Sequence, residues 1–571
     1  IGEIRAKHGP DSIGFYLGNP TAHNHGALLA VQGFSKTLGT KNRFDANSQD
    51  ANPKLFSCLQ MYGDLAAIPI PDVDRTDYFL VFGANPAASM GSLMTLGDVR
   101  GRLAGVRERG GKIVLFDPRR TETAGWCDAH HFIRPGGDAA VLAAILHELF
   151  AMKRVDEPAL AKTVRGVSEL KALVAKFPPE RVAERSGVTA EVIRKVARDF
   201  AAAPRAVCYG RVGTCLNEFG PVASWLVDAI NVVTGNFDRP GGSMFPKPAV
   251  DLAALGRKFA PGRYGRWRSR VRGLPELGGL LPAAVMAEEM ETPGEGQIRG
   301  FITLAGNPVL SVPNGERISR AFASLEHMVS IDFYLNETTR HAKIILPPLH
   351  ALERPHFDVI FHALAVRNTV KYSETVTPSK DPEARDDFAI LYELAMRLGG
   401  MRIAHPIIDR VAKAAWKVGG WRLSQERILD LAIRFGPHGD RFVNPRGLNL
   451  KKVRQAPHGI DLGPLSPSAA DRVRTRDRKV DVAPPVLTAE IPRLERWVDA
   501  ADAEARAPYV LIGRRHLRTN NSWMHNARSL VKGPDRATLL VHVDDARRLH
   551  LAAGQEVRVT SRVGSVTVKV T

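Results

Sequence analysis

Asp77-Tyr78-Phe79-Leu80-Val81-Phe82-Gly83-Ala84-Asn85-Pro86 decides the fold when it is set beside Lys112-Ile113-Val114-Leu115-Phe116-Asp117-Pro118-Arg119-Arg120-Thr121-Glu122-Thr123-Ala124. In each stretch a short apolar run stops at small or polar residues. Residues 93–109 between them have helical composition and end at Gly110-Gly111. Strand, helix and strand in that order make a β-α-β unit, and such units bind ligands at the carboxyl ends of their strands. Both ends carry turns with free backbone donors together with Asn, Asp, Arg and Thr. A polyanionic, nucleotide-like cofactor suits them.

The same alternation runs outward from this core. Strands are expected at 12–17, 78–82, 112–116, 206–209, 301–304, 328–331 and 343–346, and helices at 27–38, 93–109, 139–152 and 189–200. Thr189 is a suitable N-cap for the last helix, and Val192, Ile193, Val196, Ala197 and Phe200 share one face. Strand 206–209 leads into Gly210-Arg211-Val212-Gly213. The expected class is therefore α/β with largely parallel sheets. Gly83-Ala84-Asn85-Pro86 and Ala305-Gly306-Asn307-Pro308 both follow apolar strands. This repeat points to two related α/β domains facing a shared ligand, with two convergent turns as the alternative. Residues 451–508, rich in Pro, Arg and Asp, read as a linker. Beyond them, strands at 509–513 and 539–543 and a hairpin at 556–561 and 565–570 read as the start of a β-rich domain, cut off in mid-sheet.

With 571 residues the chain should hold about three or four domains. No stretch approaches the roughly 18 uninterrupted apolar residues of a membrane span. No basic segment with an apolar core opens the chain, so a cytoplasmic location is expected. Cys58, Cys127, Cys208 and Cys215 form no CxxC pair, which argues against a disulfide framework or an internal iron–sulfur site. The net charge of +19 is concentrated at 257–272, 402–422 and 472–479. Without a nucleic-acid motif these runs read as solvated loops or as a docking face for an acidic partner. A nicotinamide dinucleotide fold is disfavoured because no GxGxxG follows a strand.

Taken in order, the motifs resemble the molybdopterin-dependent oxidoreductases of the dimethyl-sulfoxide-reductase and formate-dehydrogenase type. Gly83, Asn85 and Pro86 are similar to that family's GxNP turn. Asp117, Arg119 and Thr123 are similar to its DPRxxxTA element. Arg134-Pro135-Gly136-Gly137-Asp138 is similar to a PGTD loop with Gly137 in place of Thr. Thr234-Gly235-Asn236 with Pro240-Gly241-Gly242 is similar to TGNxxxPGG. Residues 332–337 and 342–347 resemble a further family stretch, and 511–526 with 544–559 its carboxy-terminal dinucleotide-binding domain. The resemblance implies two molybdopterin guanine dinucleotides, whose four dithiolene sulfurs hold one molybdenum or tungsten atom. It implies cofactor contacts at Gly83, Asn85, Pro86, Asp117, Arg119, Thr123, Gly137, Asp138, Gly213, Gly235, Asn236, Asn307, Asn521, Ser522, Trp523 and His525. Guanine N–H donors suit a carboxylate such as Asp117 or Asp138; helix capping is the competing role for Asp138.

The family's protein ligand to the metal lies on a loop before the GxNP strand. Here that loop reads Phe44-Asp45-Ala46-Asn47-Ser48-Gln49-Asp50-Ala51-Asn52-Pro53 and has no cysteine. Cys58 lies several residues too late, at an expected helix start. Asp50, three residues before Pro53, has the ligand's spacing; Ser48 is the alternative, and no protein ligand is the third. Ala51 stands where formate dehydrogenases carry His, which argues against formate oxidation. An iron–sulfur cluster is expected in a segment ahead of Ile1 or in a partner subunit. The expected domains are 1–45 with 246–500, then 46–245, then 501–571. The implied activity is a two-electron or oxygen-atom-transfer reaction on a small substrate, an anion by preference given the basic surroundings, with an acidic or iron–sulfur electron-transfer partner. The alternative is a non-catalytic electron-transfer scaffold, similar to the large subunit of respiratory complex I.

Overall fold

The computed structural model describes all residues except 252–253, 255–263, 403–409, 411–412, 415, 418–423 and 501–508. Tyr78–Phe82 is buried along its whole length. That is the behaviour of a parallel strand covered on both faces, and it explains why the run is continuously apolar rather than alternating. Lys112–Phe116 and Ala206–Gly210 flank it in parallel, and Ala129–His131 lies at the edge beyond Lys112–Phe116. Helices Asp138–Ala151 and Gly220–Val233 are buried almost throughout, consistent with their lack of a polar stripe.

A second parallel sheet has the order Ile344–Leu346, His327–Ile331, Gly300–Leu304, Ile13–Leu17, Arg43–Asp45. Apart from Arg43–Asp45, it repeats the first sheet strand for strand. Gly300–Leu304 takes the place of Tyr78–Phe82, and Ile13–Leu17 that of Ala206–Gly210. The flanking strand follows the β-α-β unit in one sheet and precedes it in the other. Helix His25–Leu38 is capped by Asn24, whose Oδ1 accepts from Ala27 N at 3.1 Å, and it ends at left-handed Gly39. The expected α/β class holds.

Several local expectations are corrected. The helix expected at 93–109 is Val99–Glu108, because Met90, Ser92, Leu93 and Asp98 all take positive φ, which breaks the helical repeat. Cys58 does not start a helix; it lies buried inside Asn52–Tyr62. Much of the expected linker is packed core. Ile460–Pro464 pairs with Arg367–Val370, Val480–Asp481 pairs with Val164–Arg165, and Ile491, Leu494 and Val498 of helix Ile491–Asp499 are buried. The Asp238 carboxylate accepts from Ser468 N at 2.8 Å, and the fully buried Trp225 donates to the Val482 carbonyl at 2.8 Å. Residues 501–508 lie outside the described set.

The basic run at 264–272 is also structural. Arg266 pairs with buried Glu276 at 2.8 Å, Arg270 with buried Glu289 at 3.3 Å and Arg272 with Glu288 at 2.6 Å. Most of 402–422 falls outside the described residues. Among the described residues no helix is long and apolar enough to cross a membrane.

The chain divides into two units, Ile1–Val510 and Leu511–Thr571. In the second, Glu556–Ser561 and Gly564–Val570 form the expected hairpin, and Thr538–Leu539 adds a short parallel strand. Residues 509–513 take no strand pairing among the described residues, and of the second expected strand, 539–543, only Leu539 is extended.

Candidate active site

The carboxyl end of the first sheet is built around a glycine crossing. Gly83 follows Tyr78–Phe82 at φ 55° and donates to the Phe116 carbonyl at 2.9 Å. Its own carbonyl accepts from Gly213 N at 2.9 Å. A Cβ on Gly83 would lie 2.9 Å from Thr214 N, and one on Gly213 would lie 2.9 Å from the Gly83 carbonyl oxygen. Two loops therefore pass at a separation that only glycine permits. Asn85 is locked beside the crossing. Its Oδ1 accepts from Thr123 Oγ1 at 2.7 Å, and its Nδ2 donates to Glu122 Oε2 at 2.8 Å. Thr123 Oγ1 in turn accepts from Ala87 N at 3.0 Å.

Asp117 begins the neighbouring turn, and its Oδ1 accepts from Arg119 N at 2.9 Å. Burial pushes its carboxyl up to about 6. Burial does the same to Asp138, also to about 6, with the nearby Asp117 charge adding to it. Asp138 is not the helix cap. Gly137 occupies that position, and no side chain caps the helix. The Asp138 Oδ2 instead accepts weakly from Asn217 Nδ2 at 3.3 Å. Arg119 Nη2 stands 3.6 Å from Glu122.

The second sheet carries the same device. Asn307 Oδ1 accepts from Thr338 Oγ1 at 2.6 Å, Asn307 Nδ2 donates to Glu337 Oε2 at 2.8 Å, and Thr338 Oγ1 accepts from Val309 N at 3.2 Å. Asp332 Oδ1 accepts from Tyr334 N at 3.0 Å, as Asp117 does from Arg119. Ala305, at φ 49°, occupies the place of Gly83 and donates to the Ile331 carbonyl at 2.9 Å. Glu122 and Glu337 each follow their aspartate by five residues, and each precedes a threonine. Motif reading singled out Asn307 and placed Glu122, Asp332 and Glu337 within family-like stretches without assigning them to the site, and it passed over Thr338; the shared Asp-to-Glu-Thr spacing was the signal for all four.

Not every expected residue joins these clusters. Asn236 Oδ1 accepts from Ala206 N at 3.2 Å, at the amino end of strand Ala206–Gly210, and Gly235 precedes it. Both lie at the opposite end of the sheet from the Gly83 and Asp117 turns, because the loop they form closes the strand entry. Ser48 Oγ accepts from Ala283 N at 3.1 Å. In the second unit Asn521, at φ 60°, accepts from Arg515 Nη1 at 3.1 Å, and Ser522, Trp523 and His525 continue the same turn.

Asp50 follows a short turn, Ala46–Gln49, and stands two residues ahead of helix Asn52–Tyr62. Its Oδ1 accepts from Arg211 Nη2 at 2.5 Å. Cys215 and Ser224 lie behind Arg211, with Cys215 Sγ 3.2 Å from Arg211 Nη1. Sequence reading missed Arg211 as a site residue, since it stood only as one member of a glycine turn. A cleft of about 280 Å³ adjoins Asn47, Ala51, Leu55, Leu93, Ile360 and Leu364.

A dinucleotide fits the first cradle on its donor set. Thr121 and Thr214 hydroxyls are buried with no hydrogen-bond partner among the described residues, both beside the Gly83 crossing or the Asp117 turn. Buried hydroxyl donors left over in this way match phosphate oxygens, and the buried carboxyls match guanine N–H groups.

Comparison with known proteins agrees. Residues 1–397 match the family model for molybdopterin oxidoreductase, and residues 509–571 match that for the molydopterin dinucleotide binding domain. The chain belongs to the molybdopterin oxidoreductase family. It is 26% identical to formate dehydrogenase H of Escherichia coli over 413 residues, covering 70% of this chain and 56% of that protein. It is 28% identical to the molybdopterin-containing subunit of thiosulfate reductase of Salmonella typhimurium, covering 69% of this chain and 52% of the other. Against the F420-dependent formate dehydrogenase 2 subunit alpha of Methanococcus maripaludis it is 24% identical, covering 98% and 79%. The chain thus spans little more than half the length of the first two relatives. Acetylene hydratase from Pelobacter acetylenicus shares the fold, with a TM-score of 0.73 at 19% identity, over 100% of this chain and 78% of that one. The cofactor is of the molybdopterin dinucleotide class.

Proposed function

We propose that this chain is the pterin-binding body of a molybdenum or tungsten oxidoreductase that performs a two-electron or oxygen-atom-transfer reaction on a small substrate. The observation that carries the reading is the repeated Asn-Thr-Glu lock at the carboxyl ends of two equivalent parallel sheets. Each lock holds a strand-end turn with its backbone donors in place before any ligand arrives, which lowers the ordering cost of binding a pyrophosphate. Asp117 and Asp138 would accept from one guanine, and Thr121 and Thr214 would donate to phosphate. Asp50 would be the protein's oxygen donor to the metal, a hard ligand suited to an oxidised centre. When bound, the cofactor supplies the electron-transfer chemistry; the protein supplies orientation and access. The cleft beside Ala51 would admit substrate.

The net charge of +19 favours an anionic substrate and an acidic or iron–sulfur electron partner. A cytoplasmic location belongs to the same proposal. So does a division into α/β domains at 1–45 with 246–500 and at 46–245, with 501–571 as the carboxy-terminal domain.

A second reading is a non-catalytic electron-transfer scaffold. It is favoured by the absence of a thiolate on the 44–53 loop and by the Asp50 carboxylate being already paired with Arg211. Mass spectrometry of molybdenum, tungsten and acid-released GMP separates the two. The enzyme requires about two GMP per metal atom in protein from a cofactor-making host. Protein from that host carrying neither metal nor GMP would leave the scaffold.

A further inference from the structure

Arg211 follows strand Ala206–Gly210 and is 1% exposed. Its backbone N–H donates to the Phe82 carbonyl at 3.2 Å, two residues before the Gly83–Gly213 crossing. Its guanidinium reaches in three directions. Nη2 donates to Asp50 Oδ1 at 2.5 Å and Nη1 to the Asp50 carbonyl at 3.4 Å. Nε donates to the Ser92 carbonyl at 3.4 Å, and Nη1 also lies 3.2 Å from Cys215 Sγ. Among the described residues Asp50 is the one carboxylate within ion-pair distance of this cation. A guanidinium this deeply buried needs its counter-charge, because an unpaired buried ion is strongly unfavourable. Asp50 itself is 31% exposed on its side chain, so the pair sits at the edge of the interior with only its acidic half open.

Resting on the reading of Asp50 as the metal's protein ligand, we propose that Arg211 is the positioning residue that holds Asp50 as a one-oxygen ligand. The guanidinium keeps Oδ1 and leaves Oδ2 alone for the metal. The bond to the Asp50 carbonyl fixes the loop as well as the side chain, so the carboxylate cannot turn to present both oxygens. The link to the Ser92 carbonyl and the backbone bond to Phe82 tie this ligand loop to the first dinucleotide cradle. Metal donor and cofactor turn are thereby held in one register through a single side chain, the support that a liganding carboxylate needs. The guanidinium also offsets the carboxylate charge, which makes Asp50 a weaker donor to the metal than a free aspartate.

The test uses the full chain from a cofactor-making host, as native protein and as Asp50→Ala, Arg211→Met and Arg211→Lys. Metal and GMP contents are measured first, then the metal's oxygen shell by X-ray absorption. Asp50→Ala should lose one oxygen neighbour, which establishes the ligand. Arg211→Met should retain cofactor yet change the oxygen shell, by loss of the Asp50 oxygen or gain of its second, and Arg211→Lys should restore the native shell in part. A native shell in Arg211→Met overturns the positioning role while leaving Asp50 as ligand. A native shell in Asp50→Ala overturns the ligand assignment itself. Should Arg211→Met not accumulate, Arg211→Lys decides. Its single ammonium cannot bridge side chain and carbonyl in the same geometry, so a wholly native shell there overturns the proposal and an altered one supports it.

Discussion

At the residue scale the most informative groups are three desolvated carboxyls, Asp45 and Asp138 buried and Asp117 half-buried. Burial raises Asp45, Asp117 and Asp138 from 3.8 to about 6 each. A folded carboxyl with a raised pKa holds its proton where the unfolded chain has lost it. Its contribution to stability is therefore fully present below about 4 and is lost as pH rises through about 6. The cofactor-free chain should accordingly lose thermal stability between pH 4 and pH 7. Asp138→Asn should flatten that slope and stabilise the cofactor-free protein at pH 7.5 by roughly 1–3 kcal/mol, with little change at pH 4. Thermal unfolding at the two pH values checks it; a lower Tm for Asp138→Asn at pH 7.5 would contradict it. Stability given up in the empty protein at neutral pH is consistent with a site shaped for a ligand that donates to Asp117 and Asp138.

At the scale of elements, the loop that carries Asp50 is anchored by an ion pair that sequence alone left unnoticed. Lys54, in the first turn of helix Asn52–Tyr62, reaches both oxygens of Asp228 in helix Gly220–Val233, at 2.6 and 2.7 Å. Both side chains are buried, at 6% and 3% exposure. Lys54→Met would leave Asp228 uncompensated and should cost about 3–5 kcal/mol, whereas Lys54→Met with Asp228→Leu should recover most of it. Denaturant unfolding of the two variants measures this; equal losses in the single and double variants would show that the pair does not couple the two helices. The same scale explains the misread linker. Proline, arginine and aspartate between 451 and 508 look solvated, yet Arg472 meets Asp251 at 2.8 Å and Arg165 meets Asp481 at 2.8 Å, so these charges sit in paired, half-buried positions. Composition could not reveal that, because the partners come from distant parts of the chain.

At the scale of the whole molecule the two sheets act as one repeated unit. Each carries an asparagine locked by threonine and glutamate at the end of its central strand. Asn85→Ala and Asn307→Ala should each loosen one cradle and leave the other intact. GMP released per metal atom should fall from about two toward about one in each single variant, and further in the double. Unchanged GMP in both single variants would mean that the locks shape the fold without holding cofactor. Removing either asparagine leaves a buried threonine hydroxyl short of an acceptor, for which a further loss of about 1–3 kcal/mol is expected.

By itself the sequence determined the parts whose signal is local. Apolar runs ending in Gly-Ala-Asn-Pro and Asp-Pro-Arg specified parallel strands and the turns at their carboxyl ends, since strand burial and turn chemistry are written in neighbouring residues. Thr189 capped its helix as expected, accepting from Val192 N at 3.3 Å. The ordered set of such motifs was enough to identify the family. What only the tertiary structure decided are the relations between distant segments. It joined Ile13–Leu17 to Gly300–Leu304, moved Gly235 and Asn236 to the far end of the sheet, and set Arg211 on Asp50. The physical reason is that hydrogen bonds and ion pairs across such separations depend on how sheets and helices pack. No periodicity or spacing along the chain encodes that packing.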